Sequence, residues 1–286
     1  MRLLFAMLAL SVSAAVARAD EARLVPAAGS TLTYRLIATT KLHDKTITTG
    51  QIYSYIVASS DGATAEGTIK PLALLFDCRE SALDAECARA KKTPNAREEN
   101  GLTVVPVPPE IGDQLAAKSA FKLRAFIVEL RKFPAPLPAD PKAPSGDSLV
   151  SADDPLIVTN SMQCDAAALV AFTPIGKSPK ATLACQTTFE RSGWSASGLM
   201  PITMSDSVSL EVSYLGEGRI TLPSGEWDVR NLSMKQSSSR ENRPGAVVET
   251  QFSDKLGAAV KTHVVADPLK GGIATETESE LIAVSP

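Results

Sequence analysis

From Val208 to its end the chain is written in twos. In SVSLEVSY, Val208, Leu210, Val212 and Tyr214 fall on one side and polar residues on the other, the period of a half-buried strand. Gly216-Glu217-Gly218 reads as a turn into Arg219–Leu222, and Pro223-Ser224-Gly225 as a second turn into EWDVRNLSMKQ. The polar run SSSRENRPG at 237–245 reads as an exposed loop. It is followed by AVVETQFS, a turn at Lys255-Leu256-Gly257, AAVKTHVVA, a loop from Pro268 to Gly272, and IATETESELIAV. About six strands with short connections describe an antiparallel meander. Thr, Glu and Ser at 275–280 make one face polar and leave the other apolar. Such a sheet must cover its apolar face with helices, a second sheet or its own curvature.

The first half repeats the theme. Strands are expected over 31–41, 46–58 and 63–70, with turns at Leu42–Lys45 and Ser59–Gly62. FKLRAFIVEL, from Phe121, reads as a further strand. Helices are expected over Arg79–Lys92, Ile111–Ser119 and Asp165–Phe172, the last with Asp165 as N-cap and Pro174 as stop. The expected fold is therefore mainly β, a curved antiparallel sheet forming a half-barrel or open barrel, with two or three short covering helices.

Arg2, the apolar stretch Leu3–Val16 and the small-x-small triplet Ala17-Arg18-Ala19 are the three parts of a secretory leader over residues 1–19. The apolar run holds about 14 residues, short of the roughly 20 a spanning helix needs. Its removal takes Arg2 and Arg18 and no acid, leaving 27 basic residues against 32 acidic ones. A mildly acidic chain without a basic block has no electrostatic footprint for nucleic acid. The expected product is exported, periplasmic in a Gram-negative cell and secreted otherwise, with no membrane span.

Export gives the cysteines a meaning. Cys78, Cys87, Cys164 and Cys185 are an even set in an oxidising compartment, which reads as disulfides. Three pairings exist, and the nearest-neighbour one, Cys78–Cys87 with Cys164–Cys185, is preferred. The spacing matches neither a zinc site nor a redox C-x-x-C. Five prolines between 134 and 144 mark an extended loop or linker that cannot lie inside a sheet. Residues 20–286 are expected to form one β-rich domain around that loop at 133–146, with a subdivision into 20–132 and 147–286 as the alternative.

Catalytic equipment is sparse. Gly193-Trp194-Ser195-Ala196-Ser197 lacks the last glycine of a nucleophile elbow. Ser119-Ala120-Phe121-Lys122 has the form S-x-x-K, but Ser253-Asp254-Lys255 and Lys261-Thr262-His263 only approximate the elements that must accompany it. His43 belongs to a hairpin turn, and His263 lies on a strand with no partner evident in the sequence. The acid pairs Asp153-Asp154 and Glu98-Glu99 sit in a turn and a polar loop. No phosphate loop, dinucleotide fingerprint, EF-hand or H-E-x-x-H is present. Tyr34, Tyr53, Tyr55, Tyr214 and Trp227 are expected to pack on the sheet. No catalytic residue, metal ligand or cofactor is assigned, and no ligand-binding residue can be named.

The runs RITLPSGEWDVRNLSM and TQFSDKLGAAVKTHVVA resemble a paired element of exported bacterial β-sheet proteins of unknown function. Some of these resemble the lipoprotein-localisation-factor type of half-barrel. The resemblance covers about residues 206–284. It implies a curved antiparallel sheet with an apolar concave side, on which some relatives hold acyl chains. The two cysteine pairs and the proline segment depart from that pattern, and no site residue is carried across. The expected function is a non-enzymatic envelope protein binding an apolar ligand or an envelope protein on the concave face. A structural or assembly partner without a small ligand, using strand edges and the proline loop, is one alternative. A hydrolase with a site not visible in the sequence is the other, and Ser195 or Ser119 within hydrogen-bond reach of a histidine would favour it.

Overall fold

The computed structural model describes residues 22–42, 45–79, 83–124, 127–134, 157–165, 180–192, 201–238, 245–269 and 273–286. The expected leader, the helix at Asp165–Phe172, His43, the Gly193–Ser197 motif and most of the proline segment lie outside the described residues.

In chain order the elements are β1 (Thr31–Leu42), β2 (Lys45–Ser60), β3 (Thr64–Phe76), α1 (Asp84–Ala90), β4 (Arg97–Glu99), β5 (Leu102–Pro106), α2 (Pro109–Ala117), β6 (Ala120–Arg124) and β7 (Ile127–Pro134). Then follow β8 (Ile157–Cys164), β9 (Lys180–Ser192), β10 (Ile202–Leu222), β11 (Gly225–Ser238), β12 (Ala246–Ser253), β13 (Ala258–Leu269) and β14 (Ile273–Ser285).

The expected open half-barrel is corrected to a closed one. The sheet runs β2-β1-β14 and then downward strand by strand to β6 and β3, and β3 pairs back onto β2. Twelve antiparallel strands close a ring. The cause is β3, which serves three neighbours. Ala65–Phe76 pair with β2 apart from a bulge at Leu72, Thr64–Gly67 pair with β6, and Ala73–Phe76 pair with β5. Between the last two stretches α2 lies against β3. Val107 N–H donates to Leu72 O, and the Ser119 hydroxyl both accepts from Ile69 N–H and lies 3.0 Å from Ile69 O. The sheet thus covers its apolar face by its own curvature, the third of the options open to it, and two helices rather than three are seen among the described residues.

The register assigns every side chain to one face. Tyr34 opposes Tyr53 and Leu281, and Leu32 opposes Tyr55. These join Val57, Ile69, Phe121, Val260 and the half-buried Phe133 in one apolar cluster. Side chains from β1, β2, β3, β6, β7, β13 and β14 meet only across the lumen, so this is the inner face. The same face continues through Leu183, Leu210, Val212, Leu232 and Phe252 in a second cluster. The outer face carries cross-strand ion pairs, among them Arg35–Glu280, Lys122–Glu66, Lys180–Glu211 and Lys261–Glu278. Apolar within and charged without is the reverse of a membrane barrel. No helix among the described residues is long and apolar enough to cross a bilayer.

Several local readings change: Glu98-Glu99, expected in a polar loop, lie in β4, and FKLRAFIVEL, expected as one strand, is shared by β6 and β7. Gly216-Glu217-Gly218 is not a turn, because β10 runs unbroken through it as a 21-residue strand. The glycine accommodates a bulge there, at φ +114°, that inserts Leu215 against β11. β13 continues through Pro268 to Leu269, so the expected loop starts later. Strands β8 and β9 were not anticipated. The structure joins Cys78 to Cys87 and Cys164 to Cys185. The second bridge links directly opposed positions of β8 and β9 on the inner face.

Candidate functional site

Alternation along three neighbouring strands builds one wall of the lumen. Register sets Arg131 of β7 opposite Asn160 of β8, and Asn160 opposite Phe189 of β9. One step along, Phe133, Val158 and Arg191 form the next row, and on the other side Met162 faces Thr187. Tyr55 approaches from β2 and Gln236 from β11. Together Tyr55, Arg131, Asn160, Met162, Phe189 and Gln236 line a cavity of about 380 Å³, within the usual range of about 300–1,000 Å³ for small-ligand pockets.

The aromatic residues on the β1–β2 side are fixed by each other. Tyr34 and Tyr53 stack at 5.9 Å, while Tyr55 meets Tyr53 edge-on at 5.4 Å and Phe121 at 4.7 Å. The Tyr34 hydroxyl donates to Ala259 O at 2.8 Å. Burial pushes the Tyr34 phenol well above its ordinary value, and burial likewise raises Tyr55 despite the opposing charge of Arg131. Both are neutral at physiological pH.

Arg131 is the exception in this wall. Its Cζ lies over the Tyr53 ring at 4.9 Å from the centre and over that of Phe133 at 4.5 Å. Its Nε and Nη2 are sealed from solvent and have no hydrogen-bond partner, and the same holds for Nε of Arg191. An arginine does not lose its proton in a protein. Asp206, the inner-face carboxylate on β10, stands opposite Thr187 and accepts from the Ser238 hydroxyl at 2.5 Å.

The residues singled out from sequence go elsewhere. Ser119 is buried at the end of α2, donating to backbone oxygen (Ala116 O at 2.7 Å) while accepting from Ile69 N–H. That hydroxyl is a structural clamp. Lys122 lies on the outer face against Glu66 at 3.2 Å, so the S-x-x-K reading fails on geometry. His263 does have a partner: its Nε2 lies 2.7 Å from Glu276 Oε1 across β13 and β14. It lines an outer groove of about 740 Å³ with Glu249, Lys261 and Glu278, beneath Leu215 and Ile220 of the β10–β11 hairpin. The tip of that hairpin reaches β14, where Ser224 Oγ donates to Leu281 O. Trp227 Nε1 donates to Ser224 Oγ, pinning the tip. Among the described residues no cluster of three His, Cys, Asp or Glu could hold a metal.

Sequence reasoning missed Arg131 and Arg191. The signal was present in phase: Phe121, Arg131 and Phe133 share one face, as do Cys185, Phe189 and Arg191. A charged residue in the apolar phase of a strand was the mark to look for.

No protein-family model matches the chain, and no curated protein matches it. Solved structures show a weak likeness. The hypothetical lipoprotein YmcC from Escherichia coli K12 aligns over 86% of this chain and 82% of its own at 6% identity and TM-score 0.35. An exported protein, so named, with a YmcC-like fold from Bacteroides fragilis aligns over 93% and 100% at 8% identity and TM-score 0.34. A protein named as a lipoprotein from Parabacteroides distasonis aligns over 93% and 100% at 7% identity and TM-score 0.31.

Proposed function

We propose that this chain is an exported, non-enzymatic binding protein of the cell envelope whose guest sits inside the ring, not on an open concave face. The observation carrying this reading is the cavity of about 380 Å³ to which β2, β7, β8, β9 and β11 all contribute. The apolar surface expected from sequence to be open is filled by the protein's own Leu32, Tyr34, Val57, Phe121, Val260 and Leu281. Two disulfides are at home in an oxidising compartment, which agrees with the leader-like first 19 residues and with a periplasmic address. Ring closure removes most free strand edges, and the one on β4 is three residues long and charged, so assembly through edges has little to build on.

Native mass spectrometry of the full exported protein, purified from its own host, tests the reading. A discrete small mass that leaves on denaturation is expected. A bare chain, together with no thermal shift from any small amphiphile, would refute it.

A further inference from the structure

We propose that the guest is an anionic amphiphile, its head group held by the guanidinium of Arg131 and its apolar part lying along Met162 and Phe189. This rests on the cavity reading above and names the chemistry of its occupant.

The argument is one of unmet bonds. Buried polar atoms are almost always paired, and a buried charge left alone is costlier than any neutral group. Arg131 lines the cavity, and its Nε and Nη2 are unbonded but buried behind the cavity wall, so a head group engages them when the guanidinium swings toward it. Those two nitrogens form the side of the guanidinium fork that grips an oxyanion through two parallel hydrogen bonds. The protein itself uses that same side twice. Arg79 holds Asp77 through Nε at 2.8 Å and Nη2 at 2.5 Å, and Arg230 holds Asp254 through Nε at 2.9 Å and Nη2 at 2.6 Å. At Arg131 no described carboxylate occupies the corresponding position.

The surroundings fix the rest of the ligand. The guanidinium lies over the rings of both Tyr53 and Phe133, which restricts where the fork can turn. Asn160 lies in the same row, and its side-chain amide can donate to a second oxygen. Met162 and Phe189 supply apolar surface beside it, Thr187 and Gln236 a polar margin. Arg191, on the same inner face two strands away, adds a second positive charge with a buried unbonded Nε. A cationic or purely hydrocarbon guest would leave both arginines unmet.

Isothermal titration of the full exported protein with octanoate, octyl phosphate, octanol and octylammonium, in one buffer, reads the head-group preference on the native chain. Octanoate or octyl phosphate is expected to bind at least tenfold more tightly than octanol, with octylammonium weakest. Which of the two anions binds better distinguishes a carboxylate from a phosphate ligand. Arg131→Met should lose tenfold or more toward the anions while leaving octanol unchanged, and Arg131→Lys should recover part of the loss. Equal binding of octanol and octanoate by the native protein overturns the inference whatever the variants do. A neutral guest found by native mass spectrometry would sink the anion and spare the cavity. Failure of every probe and absence of any co-purified mass would sink both.

Discussion

Arg131→Met should make the guest-free protein more stable. The substitution keeps an unbranched apolar stem out to about the position of Nε and removes the guanidinium with its charge and its two ring contacts. Two terms oppose. The buried Nε and Nη2 each forgo a hydrogen bond, which costs about 1–3 kcal/mol apiece and more for a charged group. The two ring contacts, at 4.9 and 4.5 Å, return about 0.5–2 kcal/mol each. Mid-range values leave the guanidinium a net burden of about 1.5 kcal/mol, within the gain seen when buried ions give way to apolar residues. A gain of this size would raise the melting temperature by about 3–6 °C at the upper end of the size scaling for domains. Urea denaturation of both proteins, with disulfides intact and any guest stripped beforehand, measures it. A loss of 2 kcal/mol or more would refute the reasoning, because it would mean that the guanidinium is satisfied within the fold.

Three further outcomes are expected. At Gly67 an added Cβ would lie 1.9 Å from Ile56 O and 2.8 Å from Phe121 Cε1, so Gly67→Ala must push β3 off β2, at a cost of about 1–3 kcal/mol or more by chemical denaturation; an unchanged midpoint would deny the β2–β3 closure. Replacing Cys164 and Cys185 together by alanine opens a loop with a sequence separation of 21, and the chain-entropy relation gives a loss of about 3 kcal/mol, measurable as a lower urea midpoint. Tyr34 and Tyr55 ionise less readily in the fold than in the unfolded chain. Their contribution is fully present below about pH 10 and declines as pH climbs past it toward their raised folded values, because only the unfolded chain then releases the protons. Thermal melts from pH 8 to 11 should fall more steeply than those of Tyr34→Phe; parallel curves would contradict the burial.

Much of the architecture was readable because alternation is a local property. Leu32, Tyr34, Leu210 and Val212 announce their face through their nearest neighbours, and the strands containing them lie where their period puts them. Closure was not readable, since it depends on β3 meeting β2, β5 and β6, a property of pairings and not of any one strand. Gly216 misled for a related reason: a glycine between strand-like runs fits a turn or a bulge equally well, and only the partner strand β11 decides. The cavity was the least legible part. Arg131 and Arg191 look like ordinary solvated cations until register turns them inward, whereas Ser119 and His263, which carry more chemistry by type, are spent on a helix clamp and an outer-face pair.

The two ends of the described chain meet in the wall. Thr31 stands opposite Ser285, and β1 and β14 are zipped from there to Leu42 and Ile273. The first long strand to emerge during synthesis therefore finds one of its two flanking partners only in the last. Until that final segment arrives, no hoop can form, and contacts of such long span form slowly. A polypeptide built in this order cannot close its wall until β14 has been made.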